Sequence, residues 1–138
     1  MEPQISNTHQ KINAKLCGEI LEIKNERCRI GLILAPEMAV DDYKLVHGGF
    51  IFGLADYAAM VAINHPNVVL GSANVKFLKP ALVGDYLIAE AINVQKVGKK
   101  RIVEVKIKRG GEEIFHGEFI CFTPAKHVCE SVNNLKEN

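Results

Sequence analysis

At 138 residues the chain has the length of one domain, enough to bury a core yet small enough to favour oligomers. Its 48% apolar and 24% charged residues are ordinary for a globular protein. A formal net charge of +1 gives no electrostatic reason to expect nucleic acid or an anionic membrane as partner.

The first residues, MEPQISNTHQKI, are polar and hold no apolar targeting core, so residues 1–13 are expected to be a polar extension and the protein cytoplasmic. Leu16 to Lys24 and Cys28 to Ala35 are strand-like in composition, with Lys24, Asn25 and Glu26 as the turn between them. Pro36 to Val46 is irregular and carries Asp41 and Asp42 beside Tyr43. Residues 48–63 then read GGFIFGLADYAAMVAI. Their length and their alanines predict a helix. Apolar side chains on nearly every face predict that it is buried all round, and His65-Pro66 is expected to stop it. The stretch is shorter than the ~20 residues a membrane span needs, and it contains an acid and three glycines.

Four more strand-like runs follow: Val68 to Leu78, Asp85 to Val97, Arg101 to Arg109 and Glu113 to Phe122. In the third, Val103, Val105 and Ile107 alternate with Glu104, Lys106 and Lys108. Pro80 to Gly84, Val97 to Lys100 and Gly110-Gly111 are short glycine-containing links that suit antiparallel neighbours. Residues 125–138 form a polar tail. The expected architecture is α+β: a domain at 14–124 with one long central helix wrapped by an antiparallel sheet of about five to six strands. One sheet covers one side of a helix, so a second subunit is expected on the other. Cys17, Cys28, Cys121 and Cys129 form neither a CxxC pair nor a metal-ligand spacing and are expected to stay reduced.

Asp56 is the only charged residue in 48–63. A buried carboxylate without partners is costly, so Asp56 is either a satisfied core acid or a functional group. Gly48-Gly49 at the helix start leaves backbone N–H groups unshielded at the positive end of the dipole, where they can hold a carbonyl oxygen or an oxyanion. Tight packing or an entry turn explains the same glycines. Gly48 and Asp56 lie about 12 Å apart along a helix axis and roughly 80° around it. One helix therefore cannot bring both to one carbonyl carbon. Two antiparallel helices side by side can, which makes a functional site one shared between subunits, twice per dimer.

Lesser candidates are His47, as orienter of the glycine turn or as a plain helix-entry residue, and Asp41 and Asp42, as ligands of a water or as solvated loop acids. Ser72 is a weak candidate for substrate contact. Lys76, Lys79, Lys99, Lys100 and Arg101 can meet phosphates or remain plain solvated charges. His116 is expected to pack within its strand. His127 and Cys129 complete no metal set, no metal or other cofactor is expected, and no Ser-His-Asp, Cys-His or GxSxG arrangement is present.

With its element order, VHGGFIFGLADYAA, and GSANVKFLKPALVGDYLIAEA, the chain resembles the hotdog-fold thioesterases of the phenylacetyl-CoA thioesterase-like (PaaI-like) family over about residues 14–124. The resemblance implies that the Gly48 and Gly49 amides bind a thioester carbonyl, that Asp56 of the partner subunit acts as nucleophile or general base, and that His47 supports the turn. It also implies homodimers with a continuous sheet, often paired into tetramers. Two positions depart from the family pattern. Asp41 stands where asparagine is frequent, and a family serine falls near Leu70, with Ser72 two residues on and read as pointing the same way. A second resemblance joins VGKKRIVEVKIKRGGEEIFHGEFICF to the malonyl-CoA-sensing hotdog domain of the bacterial repressor of fatty-acid and phospholipid synthesis. That family carries an amide residue where Asp56 stands, and the residues before Leu16 are expected to be too few for a DNA-binding domain. The expectation is an acyl-CoA thioesterase of fatty-acid metabolism. A non-catalytic acyl-CoA or malonyl-CoA binding module is the alternative, and a dehydratase or hydratase using His47 is a third, weaker reading.

Overall fold

The computed structural model describes residues 5–130. The last part of the expected polar tail, 131–138, lies outside them. A one-turn helix α1 (Ala14–Cys17) leads to β1 (Glu19–Lys24) and β2 (Arg27–Ile33), then to a 3-10 turn at Pro36–Met38. The long helix α2 (Gly48–Ile63) follows, and then β3 (Val69–Phe77), β4 (Tyr86–Val97), β5 (Lys100–Arg109) and β6 (Glu112–Phe122). The six strands form one sheet in the order β1-β2-β4-β5-β6-β3, with every neighbouring pair antiparallel. No helix of the described residues is long and apolar enough to cross a membrane.

The tight connections follow from backbone freedom at their tips. Asn25 and Glu26 both take φ near +60°, the mirror-image turn that matches strand twist, and Gly98 and Gly110 do the same for the β4–β5 and β5–β6 hairpins. The third glycine link behaves otherwise. Pro80 to Gly84 does not join neighbours, because β3 crosses to the far edge and pairs with β6. The link pairs instead with the loop before α2: Val46 N–H donates to the Ala81 carbonyl at 2.9 Å, and Val83 N–H to the Lys44 carbonyl at 3.0 Å. Turn residues mark a change of direction and say nothing about which strand lies beyond it. Leu16 and Cys17 also depart from expectation. They belong to α1, because the Asn13 side chain accepts from the amides of Lys15 and Leu16 and caps a helical turn there.

Helix α2 lies against β2, β4 and β5. Ala55, Ala58, Ala59 and Ala62 are fully or almost fully buried, which lets the helix sit close to the sheet while Phe115 and Phe119 of β6 fill the space beside it. The Phe52 and Phe119 rings are 5.5 Å apart. Phe119→Ala is expected to destabilise the fold by about 3–5 kcal/mol, read by chemical denaturation; a loss below about 1 kcal/mol means that the core collapses around the gap. The helix ends at Asn64 rather than at Pro66. Asn64 adopts the left-handed conformation (φ 55°) and its N–H closes on the Met60 carbonyl at 2.9 Å.

Burial of α2 is incomplete, contrary to the reading of a helix buried all round. Gly49 is exposed, and Phe52, Gly53, Asp56 and Ile63 are only partly buried along one stripe. Part of the side away from the sheet is covered in cis. Asn7 N–H donates to Asn64 Oδ1 at 2.6 Å, and Asn64 Nδ2 donates to the Ile5 carbonyl at 3.0 Å, so the N-terminal residues form a strap across the helix end.

Candidate functional site

At the start of α2, His47 is the N-cap residue by backbone geometry, yet its side chain makes no capping bond. The first helical hydrogen bond there runs from Phe50 N–H to the His47 carbonyl at 3.1 Å. The amides of Gly48 and Gly49 have no partner among the described residues. They point out of the positive end of a sixteen-residue helix, where an oxygen bearing negative charge is favoured. Only Gly49 is crowded by a neighbour. A side chain at Gly49 would come within 2.9 Å of the His47 ring, and one at Gly48 would touch the Phe77 ring at 3.4 Å. The His47 ring stands edge-on to Phe50, with centroids 6.1 Å apart. It shapes the turn from outside.

Asp56 lies two turns further on, in the partly open stripe. Its Oδ1 is buried and has no hydrogen-bond partner among the described residues. Burial pushes its carboxyl above the ordinary carboxylate value, and the charge of His9 pulls it part of the way back. Gly53, on the same stripe, has open space where a side chain would stand. The cluster around Asp56 also includes Cys17 of α1 and Cys121 of β6. Burial raises both thiols, with Asp56 adding to the effect, and Cys121 is pushed up to about 12. Both are therefore neutral wherever Asp56 titrates.

His9 is a member of this cluster that sequence reasoning missed. It sits in the strap with φ 52°, a left-handed conformation that histidine enters more readily than most residues. Its ring lies 6.3 Å from that of Tyr57, and its Nδ1 is 2.7 Å from the hydroxyl of Thr8, which is only 5% exposed. The polar run ISNTHQ has no periodicity that marks it as a covering segment. Its place depends on Asn64, more than fifty residues away.

The other predicted residues are dispersed. Asp41 accepts from the amides of Tyr43 at 3.0 Å and Leu45 at 3.2 Å, so one of its oxygens organises the loop that delivers His47. Asp42 is exposed in that loop. Lys79 is paired with Glu112 at 2.6 Å, close to Arg109 and Asp85, at one end of β5. Lys99 and Lys100 stand at the other end, about 30 Å away along a ten-residue strand. A single protomer therefore cannot close these three lysines on one phosphate. Leu70 and Ser72 do not point the same way. The register shifts between them, so Leu70 pairs with the buried Cys121 on the helix side, whereas Ser72 pairs with Ile120 on the outer side. The extra residue of a bulge breaks the alternation on which the expectation rested.

A six-stranded antiparallel sheet folded about one long helix, with glycine amides at the helix start and an acid within it, defines the hotdog class. The thioesterase superfamily model matches residues 43–115, which hold both groups, and the chain belongs to that superfamily. A crystal structure of a Pyrococcus horikoshii protein is 48% identical, with a TM-score of 0.91 over 94% of this chain and 99% of that one. A methylthioribose-1-phosphate isomerase of Aquifex aeolicus is 48% identical over 81% of this chain but only 25% of its own length. The transcription factor FapR of Caldanaerobacter subterraneus is 34% identical over 79% of this chain and 55% of its own length. The chain thus spans between a quarter and a little over half of these two curated relatives. The E. coli PaaI protein shares the fold, at 20% identity and a TM-score of 0.73, over 83% of this chain and 85% of that one. So does a hypothetical thioesterase of Streptococcus pneumoniae solved with coenzyme A, at 18% identity and a TM-score of 0.71, over 79% and 87%.

Proposed function

We propose that the chain is an acyl-CoA thioesterase that hydrolyses a CoA thioester to free CoA and a carboxylic acid. The observation that carries this reading is the pairing of unpartnered amides at Gly48 and Gly49 with an unpartnered buried oxygen on Asp56. The thioester carbonyl oxygen takes the helix amides. A water held by Asp56 attacks the carbonyl carbon and gives Asp56 its proton. The carbon–sulfur bond breaks, and the proton passes to the departing thiolate. Direct attack by Asp56, with water cleaving the resulting anhydride, uses the same groups. No metal or redox cofactor takes part.

The spacing within α2 makes this a site between two copies. Gly48 of one protomer serves Asp56 of its partner, with His47 holding the turn. The open stripe and the bare position at Gly53 suit the close approach of a second helix. Strand β3 is an edge, with most of its residues exposed, so it offers a row of unpaired backbone groups for a continuous sheet in a homodimer. Lys99 and Lys100 of one copy, or Lys79 of the other, then meet the CoA phosphates, and Asp41 lines the approach, whereas the outward direction of Ser72 takes it out of the substrate path. The S. pneumoniae neighbour holds coenzyme A, which supports that ligand class. A cytoplasmic location fits a CoA substrate.

The FapR similarity supports a second reading, a module that binds an acyl-CoA or malonyl-CoA without cleaving it. One experiment separates the two: thiol release and calorimetric binding measured together over a panel of short, long, aromatic and dicarboxylic CoA thioesters. Turnover of any member supports the enzyme. Tight binding without thiol release establishes the sensor.

The pH profile adds a further expected result. Loss of activity on the acid side should have its midpoint above the ordinary carboxylate value, because burial disfavours the Asp56 anion. Burial lowers the His9 imidazole below its ordinary value, against the pull of Asp56, but in its charged form the ring stabilises that anion, so His9→Gln should move the midpoint to higher pH. A profile that stays fixed shows that the strap has no electrostatic part in the site.

A further inference from the structure

The strap before α1 is a built part of the molecule. Asn64 holds it by two side-chain bonds, one accepted from the Asn7 amide and one donated to the Ile5 carbonyl. Within the strap the Ser6 hydroxyl donates to the Thr8 carbonyl at 2.8 Å, and Gln10 Nε2 donates to the Ser6 carbonyl at 3.0 Å. Ile12 N–H donates to the His9 carbonyl at 3.1 Å. These bonds fix His9 in its left-handed conformation, beside the Tyr57 ring and next to the partly open stripe that carries Asp56. Met60 lies on the same face of α2 one turn beyond Asp56 and is only 1% exposed, so the covered part of the stripe ends at the acid.

Only one end of the His9 ring is engaged. Nδ1 is 2.7 Å from the Thr8 hydroxyl, and Nε2 has no partner among the described residues. A hydroxyl can accept from a protonated Nδ1 or donate to a bare one, so buried Thr8 holds the ring in one orientation through a full cycle of protonation. No His9 nitrogen comes within 4.0 Å of an Asp56 oxygen, so the two are not locked together as an ion pair. Each is left free to exchange a proton with a molecule that reaches the stripe. The other titratable groups of the cluster do not serve. Burial raises the thiols of Cys17 and Cys121 and the phenol of Tyr57, which keeps all three protonated at neutral pH. Burial acts on the remaining two in opposite senses. It lowers the His9 imidazole and raises the Asp56 carboxyl, so a proton passes between them at little cost.

We propose that His9 is a catalytic residue of thioester cleavage, the acid that protonates the departing sulfur through Nε2, and that Thr8 and Asn64 position it. The role rests on the thioesterase reading and completes its proton path. Asp56 takes a proton from the attacking water as the new carbon–oxygen bond forms, and the carbonyl π pair moves to the oxygen held by the glycine amides. When that pair returns, the carbon–sulfur bond breaks and its electrons go to sulfur. Nε2–H supplies the proton of the free thiol. One proton then passes from the Asp56 carboxyl to Nε2, and both groups are restored.

Leaving-group dependence tests this role. An acid acting on sulfur matters for an alkyl thiol such as CoA and much less for a nitrothiophenol, whose thiolate departs without a proton. His9→Gln and His9→Asn are expected to lower kcat on an acyl-CoA by about 10² or more, and to lose far less on the same acyl group carried by nitrothiophenol. Asparagine is the second choice because it accepts a left-handed backbone well. Thr8→Val removes the hydroxyl and keeps the shape. Asn64→Gly removes the latch and keeps the left-handed helix end. Each is expected to show a smaller loss of the same selective kind, whereas Asp56→Asn lowers both substrates. Equal losses on the two thioesters in the His9 variants, or no loss, overturn the role. NMR titration of the His9 ring is read on the same samples. In Asn64→Gly it should rise toward the ordinary histidine value as the strap is released, and an unchanged titration overturns the latch. A wild type that cleaves neither thioester overturns the thioesterase reading and the role of His9 with it. An active wild type with unselective His9 variants overturns the role alone.

Discussion

Asp56→Asn is expected to lower the turnover of a CoA thioester by about 10²–10⁴, the usual contribution of a positioned general base, while leaving acyl-CoA affinity nearly unchanged. The exchange keeps the shape of the side chain and removes only its basicity. It also separates the two accounts of this acid. Burial raises the folded-state carboxyl above its ordinary value, and the neutral form is therefore the one the fold favours. Stability tied to this group is full at low pH. It declines from the ordinary carboxylate value of 3.8 upward, through the raised one. At neutral pH the amide should thus leave the melting temperature unchanged or higher. Loss of turnover together with an undiminished melt identifies a functional acid that the fold tolerates. Turnover within tenfold of wild type, or a fall in melting temperature, returns Asp56 to the role of a structural core acid.

Gly48→Pro is the second substitution with a large expected effect, because it deletes a single backbone donor. Proline is well accepted at the first position of a helix, where its missing N–H has no intrahelical partner to lose. The preceding residue must be extended, and His47 already is, at φ −61° and ψ 132°. Helix content should therefore persist by circular dichroism. If the Gly48 amide holds the developing oxyanion, kcat falls by about 10²–10³. Gly48→Ala is the control. It keeps the amide and adds one methyl at 3.4 Å from the Phe77 ring, so its activity should lie far closer to wild type. Equal activity in the proline and alanine variants would remove this amide from the mechanism.

Much of the fold was legible because its signals are local. The helix occupies 48–63 as its alanines and unbroken apolar run predict, and β4, β5 and β6 fall within a residue or two of the runs that mark them. The placement of β3 was not legible. Its pairing with β6 joins residues from 38 (Phe77 with Phe115) to 53 (Val69 with Phe122) positions apart, and nothing in the Pro80–Gly84 link declares it. The opposed directions of Leu70 and Ser72 were hidden for the same reason, since a bulge is visible only once the partner strand is known. In the candidate site, Gly48 and Asp56 stood out because an acid and paired glycines are anomalous in an apolar helix. Thr8 and His9 did not, because a short polar stretch looks alike whether it is solvated or pinned to a helix cap. Lys79 looked free as a turn lysine, and only the fold brings Glu112 to it.

The strand order also has a consequence for how the chain is made. Strands β4, β5 and β6 form a meander of tight hairpins that can assemble as soon as each is complete. Strand β3 precedes all three in the chain but adds to the sheet only beside the last of them. During synthesis Val69–Phe77 therefore waits, with both edges unpaired, until Phe122 has emerged. Closing this long-range pair costs loop entropy that the hairpins do not, and in the sheet only the β2–β4 pairing spans more of the chain, so docking of β3 is a natural slow step. Until it docks, α2 lacks that side of its cover, and the chain presents a bare strand beside an apolar helix to any neighbour it meets.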